Sequence, residues 1–219
     1  MGHYTIALDL TGKACLVVGG GQVAERKIHS LLDCGACVQV VSLELTAGLE
    51  KMAEAGLIDY RQGRYHTSDL LDVFLVIGAT DSEKVNRQVA ADCLARNLLV
   101  NIVDTPVQCN FYVPAVVKRG LLTIAVTTGG KSPLLARKIR EELELAYGPQ
   151  YGEFLELIAG LRKDIISKVS DSIKKKELLE GLVSDEVMDL LKKGSLDLIK
   201  GRIIDANRGS GAQPQDGSG

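Results

Sequence analysis

The chain has 219 residues, 46% of them hydrophobic and 25% charged, with 26 Lys and Arg against 28 Asp and Glu and a formal net charge of −2. That length suits one large domain or two small ones, and the near-balanced charge excludes bulk attraction to nucleic acid or a membrane surface. No apolar run approaches the roughly 20 residues of a membrane span, and the first ten residues, MGHYTIALDL, lack the basic start and long apolar core of a signal peptide.

Asp9 to Lys13, DLTGK, reads as a turn. The apolar run Leu16-Val17-Val18 follows, breaks into Gly19-Gly20-Gly21, and resumes as a helical pattern from Gln22. Gly19, Gly21 and Ala24 fit G-x-G-x-x-G/A, the turn that cradles a dinucleotide pyrophosphate. The first glycine permits the tight turn, the second lets backbone approach phosphate, and Ala24 lets helix and strand pack closely. Ala24, Ile28, Leu31 and Leu32 share one helix face, Gly35 stands where a C-cap glycine belongs, and Cys37 to Val41 is the second strand. The unit therefore closes in about 30 residues, as the fingerprint requires. Ser42 ends that strand where an NAD-binding chain usually carries Asp or Glu, and Glu44 comes two residues late, so this position does not decide between NAD and NADP.

Thr46 caps a helix with Leu49, Met52 and Ala53 inward, ending near Gly56, and Leu57 to Tyr60 is a short third strand. Leu71 to Ile77, LDVFLVI, suits a parallel strand buried on both faces. It runs into Gly78-Ala79-Thr80-Asp81 at the sheet edge where ligands of such folds bind. Asp81 or Ser82 caps the next helix, whose inner face is Val85, Val89, Ala90, Cys93 and Leu94, and Leu98 to Val103 is the fifth strand. This alternation predicts a Rossmann-type α/β domain with a parallel sheet over residues 1–113. Gly19, Gly20, Gly21, Ser42, Ala79 and Thr80 are its candidate cofactor residues.

After Asp104, Thr105-Pro106 breaks the pattern. Ala115 to Lys118 and Leu121 to Thr127, joined at Arg119-Gly120, predict a β-hairpin. Ser132 then caps a helix with Pro133 at its first position, and Gly148-Pro149 stops it. Residues 114–148 form a small hairpin-and-helix region whose Val116, Ile124, Val126 and Leu134 need a cover, which predicts a homodimer. Residues 149–208 show only helical patterns, including Phe154, Leu157, Ile158 and Leu161, and Val187, Leu190 and Leu191. Residues 209–219 have nothing to bury and read as a disordered tail.

Asp104 stands at the carboxyl end of the fifth strand, at the edge that holds the glycine loop; a catalytic carboxylate and a turn residue both fit that place. Thr127 to Pro133, TTGGKSP, is no Walker A motif, because Ala125 stands where glycine is required. It remains either a carboxylate- or phosphate-binding helix N-terminus or an ordinary capped helix. Lys118, Arg119, Lys131, Arg137, Lys138 and Arg140 cluster in sequence, as a solvated face or a polyanionic substrate would each explain. No His, Cys or carboxylate spacing matches a metal site. The five cysteines, Cys34-Gly35-Ala36-Cys37 included, read as small buried thiols of a reducing cytoplasm.

VVGGGQVAERK, GATD and NIVDTPVQCNFYVPAVVKRGLLTIAVTTGGKSPLLARKIRE, in this order and spacing, resemble the precorrin-2 dehydrogenase family, the siroheme-synthase enzymes that occur alone or fused to a methyltransferase. The likeness covers roughly Tyr4 to Tyr147, and the methyltransferase part has no counterpart in the sequence. It implies NAD-dependent oxidation of precorrin-2 to sirohydrochlorin, a tetrapyrrole substrate and a Rossmann, dimerisation and helical-domain architecture. Some members also insert ferrous iron, a lyase activity. The resemblance implies a catalytic role for Asp104, NAD contacts at Gln22, Val23, Leu43 and Glu44, and substrate contacts at Asn110, Thr128, Gly129, Gly130, Lys131 and Ser132. The competing reading is a non-catalytic nucleotide-sensing regulatory domain, which would have no need of the hairpin and TTGGKSP.

Overall fold

The runs Leu16-Val17-Val18 and Val38-Gln39-Val40-Val41 are apolar on successive residues, so both faces of each strand must be covered; a parallel sheet between helices does this. The computed structural model describes residues 3–209, with side chains through residue 202. Strands β1 (Ala14–Val18), β2 (Cys37–Ser42), β3 (Asp59–Gln62), β4 (Leu75–Gly78) and β5 (Leu99–Ile102) form one sheet in the order β3-β2-β1-β4-β5. Every pairing in it is parallel, with Val17 opposite Val40 on one side and Ile77 on the other. The chain winds outward in both directions from the junction of β1 and β4, which leaves a crevice at their carboxyl ends.

Helices α1 (Gln22–Leu32) and α2 (Ala47–Glu54) bury Ala24, Ile28, Leu31 and Leu49 with Cys15, Val17, Val40 and Ile77. Helix α3 (Glu83–Ala95) buries Val89, Ala90 and Cys93 with the alternate set Leu16, Val18, Val76, Val100 and Ile102. Each fully buried aliphatic side chain contributes about 1.5–3 kcal/mol, so the doubly covered β1 anchors the domain. Thr46 and Ser82 cap α2 and α3 through Leu49 N and Val85 N, and Gly35 ends α1 at φ +74°.

The chain divides into two compact units, Met1–Val113 and Pro114–Gly219. In the second, β6 (Ala115–Arg119) and β7 (Leu122–Val126) pair antiparallel across a turn with Gly120 at φ +56°. Helix α4 (Pro133–Ala146) follows, then α5 (Gln150–Lys168), α6 (Ser172–Gly181), α7 (Asp185–Lys192) and α8 (Leu196–Gly209). Tyr151, Phe154, Val187, Leu191, Leu196 and Ile199 form its core, and Leu122 and Tyr147 pack against them. The hairpin region and the C-terminal helices thus share apolar contacts within this unit.

Several elements differ from the sequence reading. β4 starts only at Leu75: Leu71 is 76% exposed and Asp72 has φ +58°, a left-handed residue that no strand accommodates. β3 is displaced to Asp59–Gln62, where Gln62 pairs with Ser42. Leu94 is half exposed, because α3 turns its burial onto Asn86, Val89, Ala90 and Cys93. Cys34, in the turn that ends α1, and Cys37, the first residue of β2, are exposed where buried thiols were expected; Cys15 and Cys93 are buried and Cys109 is half-buried. Helix α8 reaches Gly209, and the rest of the expected tail, 210–219, lies outside the described residues.

Candidate functional site

A cleft of about 800 Å³ opens at the carboxyl edge of the sheet, between the loops after β1, β2, β3 and β4. Gly19 takes φ +127°, and a Cβ there would strike the carbonyl oxygen of Ala79. A Cβ on Gly20 would strike the carbonyl of Glu44, so the loop is pressed between its neighbours. Gly20 O in turn accepts from Thr46 N at 2.9 Å. Gly21 is different: it has extended backbone (φ −85°, ψ −178°), and a Cβ built on it meets nothing within 4 Å. Its face opens onto the cleft. Gly21 is also the N-cap of α1, with no side-chain cap, so the first amides of the helix carry no side-chain partner.

The second strand delivers Ser42, half-buried, and the exposed Leu43 and Glu44 to the same cleft. Glu25, in the first turn of α1, accepts a hydrogen bond from Thr46 Oγ1 at 2.5 Å. Gly48 leaves room for that carboxylate, since any Cβ would collide with it. The β2–α2 loop is thereby tied to the glycine loop. From the other side come Ala79 and Thr80; the Thr80 hydroxyl lies 3.0 Å from Asn86 Oδ1 and 3.2 Å from the Ser82 carbonyl, so it is engaged within the protein.

Asp104 is exposed just past the end of β5, in a left-handed conformation at φ +58°. Non-glycine residues at such angles are uncommon and concentrate at functional sites. Lys27, half-buried on α1, feels this carboxylate: burial pushes its ammonium pKa down, Arg26 adds to that, and Asp104 opposes both. Asn110 is committed to β5, its Oδ1 accepting from Val100 N at 2.8 Å and its Nδ2 donating to Leu98 O at 2.7 Å.

In the second unit, Gly129 and Gly130 both take positive φ, at +62° and +75°. Thr128 Oγ1 receives Ser132 N at 3.1 Å, and Ser132 Oγ caps α4 through Leu135 N. No acidic residue occupies the first turn of α4, and Lys131 is exposed beside it. That is an anion-attracting helix end. The basic cluster divides in two. Arg119 donates to the carbonyls of Tyr147 and Glu144 and closes the end of α4, while Arg137 and Arg140 pair with Glu141 and Glu144. The ammonium groups of Lys118, Lys131 and Lys138 have no hydrogen-bond or ion-pair partner among the described residues.

Comparison with known proteins follows these boundaries. Residues 6–115 match a family model described as putative NAD(P)-binding, and residues 119–145 match one described as sirohaem biosynthesis protein, central. A solved structure, "SirC, precorrin-2 dehydrogenase", superposes with a TM-score of 0.76 at 30% identity, covering 91% of this chain and 100% of that one. The chain belongs to the precorrin-2 dehydrogenase family. Siroheme synthases from Chromobacterium violaceum and Saccharophagus degradans are 39% and 34% identical over 193 and 217 residues. Those alignments take in 86% and 99% of this chain, but it spans only 41% and 47% of the relatives' own lengths.

Within this family the cleft fits NAD. The open face at Gly21 and the uncapped start of α1 suit a pyrophosphate, and Ser42 to Glu44 line the same cleft past the end of β2. Sequence reasoning missed Arg64 and Tyr65, which line the same cleft; their signal was Gly63 just beyond β3, at the same carboxyl edge. It also missed Glu25 and Asn86, whose partners lie on other segments.

Proposed function

We propose that the protein oxidises precorrin-2 to sirohydrochlorin with NAD, in siroheme biosynthesis, as a cytoplasmic homodimer. The observation that carries this reading is the pairing of an open glycine-loop cleft with a full-length structural match to a precorrin-2 dehydrogenase. When bound, NAD supplies the two-electron acceptor that takes hydride from the macrocycle. The start of α1 holds the pyrophosphate against Gly21, and Ser42, Leu43 and Glu44 hold the adenosine ribose. Asp104 takes up the proton that leaves with the hydride, acting as general base. Its exposed carboxylate sits at the ligand-binding edge of the sheet, in a conformation that only a supported turn maintains.

The tetrapyrrole is rich in carboxylates. Thr128 to Ser132, the acid-free first turn of α4 and the three unpaired lysines supply the complementary charge. Val116, Leu121, Leu134, Leu135 and Leu145 are all exposed on the hairpin and α4, and a second copy of this face would cover them. The test of the reaction is an anaerobic assay of purified protein with precorrin-2 and NAD, followed by NADH absorbance and the sirohydrochlorin spectrum. NAD binding without turnover would return the reading to a nucleotide sensor.

A further inference from the structure

Asn86 is the one buried polar side chain of the α3 face, 9% exposed, and the dehydrogenation chemistry makes no use of it. It sits in the first turn of α3, where the same turn already has its cap in Ser82. Its amide is spent entirely on Thr80. Nδ2 donates to the Thr80 carbonyl at 2.8 Å, while Oδ1 stands 3.0 Å from the Thr80 hydroxyl and 3.4 Å from the Thr80 amide. One side chain therefore engages the carbonyl, the amide and the hydroxyl of a single loop residue. That residue follows Ala79, whose carbonyl is in such close contact with Gly19 that no Cβ fits between them, and whose amide donates to Val18 at 2.8 Å. A shift of Thr80 is thus passed through backbone to the glycine loop.

We propose that Asn86 is a positioning residue for the dinucleotide, setting the wall of the cleft opposite Gly21 by clamping Ala79-Thr80 at the junction of β1 and β4. This rests on the NAD reading of the cleft. Thr80 then serves the nucleotide through backbone and shape, because its hydroxyl is turned to Asn86. Only an amide satisfies both ends of this arrangement. Aspartate keeps the acceptor and loses the donor to the Thr80 carbonyl; leucine keeps the volume and loses both.

The test is calorimetric titration of the full-length chain with NAD, alongside thermal unfolding of each variant without NAD. Asn86→Leu is expected to weaken NAD binding about tenfold or more and Asn86→Asp by a lesser factor, as loss of all three or of one of the clamping hydrogen bonds implies. Val89→Ala, in the same helix with its side chain fully buried, is the control. It should lower the unfolding midpoint while leaving NAD affinity within about twofold, since it removes none of the hydrogen bonds to Thr80. Adding Thr80→Val to Asn86→Leu should cause little further loss, because both act through one network. NAD affinity unchanged in folded Asn86→Leu, or in Asn86→Asp should leucine prevent folding, overturns the proposal. Equal weakening by Val89→Ala at a matched loss of midpoint overturns it as well. Failure of the wild-type chain to bind NAD would instead overturn the reading of the cleft, and this proposal with it.

Discussion

Cys109 Sγ accepts the backbone amide of Ile102 at 3.1 Å, and it stands 3.3 Å from the carbonyl oxygens of both Ile102 and Thr105. One thiol thus bridges the two sides of the turn that carries Asp104. Burial pushes its pKa up, so at neutral pH it remains a protonated donor. Cys109→Ala should cost about 1 kcal/mol through the hydrogen bonds it removes. Cys109→Ser should retain part of that, and thermal unfolding of the two variants against wild type is the check. Equal stability of Cys109→Ala and wild type would show that the thiol merely fills space.

The three glycines should separate by mechanism. Gly19→Ala puts a Cβ against Ala79 O at φ +127°, and should cost about 2–3 kcal/mol of stability. The Cβ of Gly21→Asp meets no atom within 4 Å and the backbone there is ordinary, so the unfolding midpoint should hardly move. Its carboxylate would face the pyrophosphate, and like-charge contact of that kind should weaken NAD at least about a hundredfold. Unchanged NAD affinity in Gly21→Asp, by calorimetry, would remove the cofactor from this loop.

The glycine loop was legible in the sequence because its chemistry is local: Gly19, Gly21 and Ala24 lie within one turn and announce their roles by spacing. The alternation of strands and helices was legible for the same reason, and the order of the strands in the sheet was not. Glu25 and Asn86 carried no such signal, since each acquires meaning only from a partner outside its own helix. The division of the basic cluster was not legible either. Six cations close in sequence look like one patch, yet Arg119 turns inward to cap α4 while Arg137 and Arg140 pair along it. The start of β4 was missed because LDVF has strand composition, and composition does not reveal that Asp72 adopts a left-handed angle.

Alkaline stability should report the buried thiols. Burial, reinforced by Asp92, pushes Cys93 from its ordinary 9.0 up to about 12, and burial with Cys37 and Cys34 pushes Cys15 to about 11. The raised folded-state values mean that above pH 9 the unfolded chain loses protons that the folded chain keeps. The stabilisation is fully present below the unfolded pKa and is lost as pH rises through the folded one. Urea midpoints should therefore be flat near neutrality and fall from about pH 9 upward. Cys93→Ala should make that fall shallower. An unchanged slope in this variant would assign the alkaline transition to other groups, Tyr65 first among them, whose pKa is raised by burial and its bond to Asp92.

Association should depend on α4 and the hairpin. Leu134 is 77% exposed and Leu121 72%, on elements whose neighbours are already packed. Sedimentation velocity at micromolar concentration is expected to give a dimer, and Leu134→Asp a monomer with unchanged helix content. A wild-type monomer under those conditions would leave this face without its proposed cover.

Asp104→Asn is the decisive substitution for the chemistry, and the backbone explains why it is cleaner than alanine. At φ +58° alanine pays the left-handed penalty of about 1–2 kcal/mol in full, whereas asparagine is among the residues that visit this region most readily. Asparagine therefore keeps the turn, its shape and its place at the edge of the sheet, and removes only the proton acceptor. Loss of a positioned general base slows a reaction by about a hundred- to ten-thousandfold, so turnover of precorrin-2 should fall at least a hundredfold while NAD affinity stays near wild type. Single-turnover NADH formation measures the first and calorimetry the second. Metallation of sirohydrochlorin by ferrous iron, assayed on the same variant, asks whether one carboxylate serves both reactions. Metal entry also expels protons, from pyrrole nitrogens, and a shared base predicts that both rates drop together. Iron insertion that persists while dehydrogenation is lost would assign metal entry to other groups or to the uncatalysed reaction. Full dehydrogenase activity in Asp104→Asn would leave the strained aspartate as a turn residue, with the proton passing to solvent.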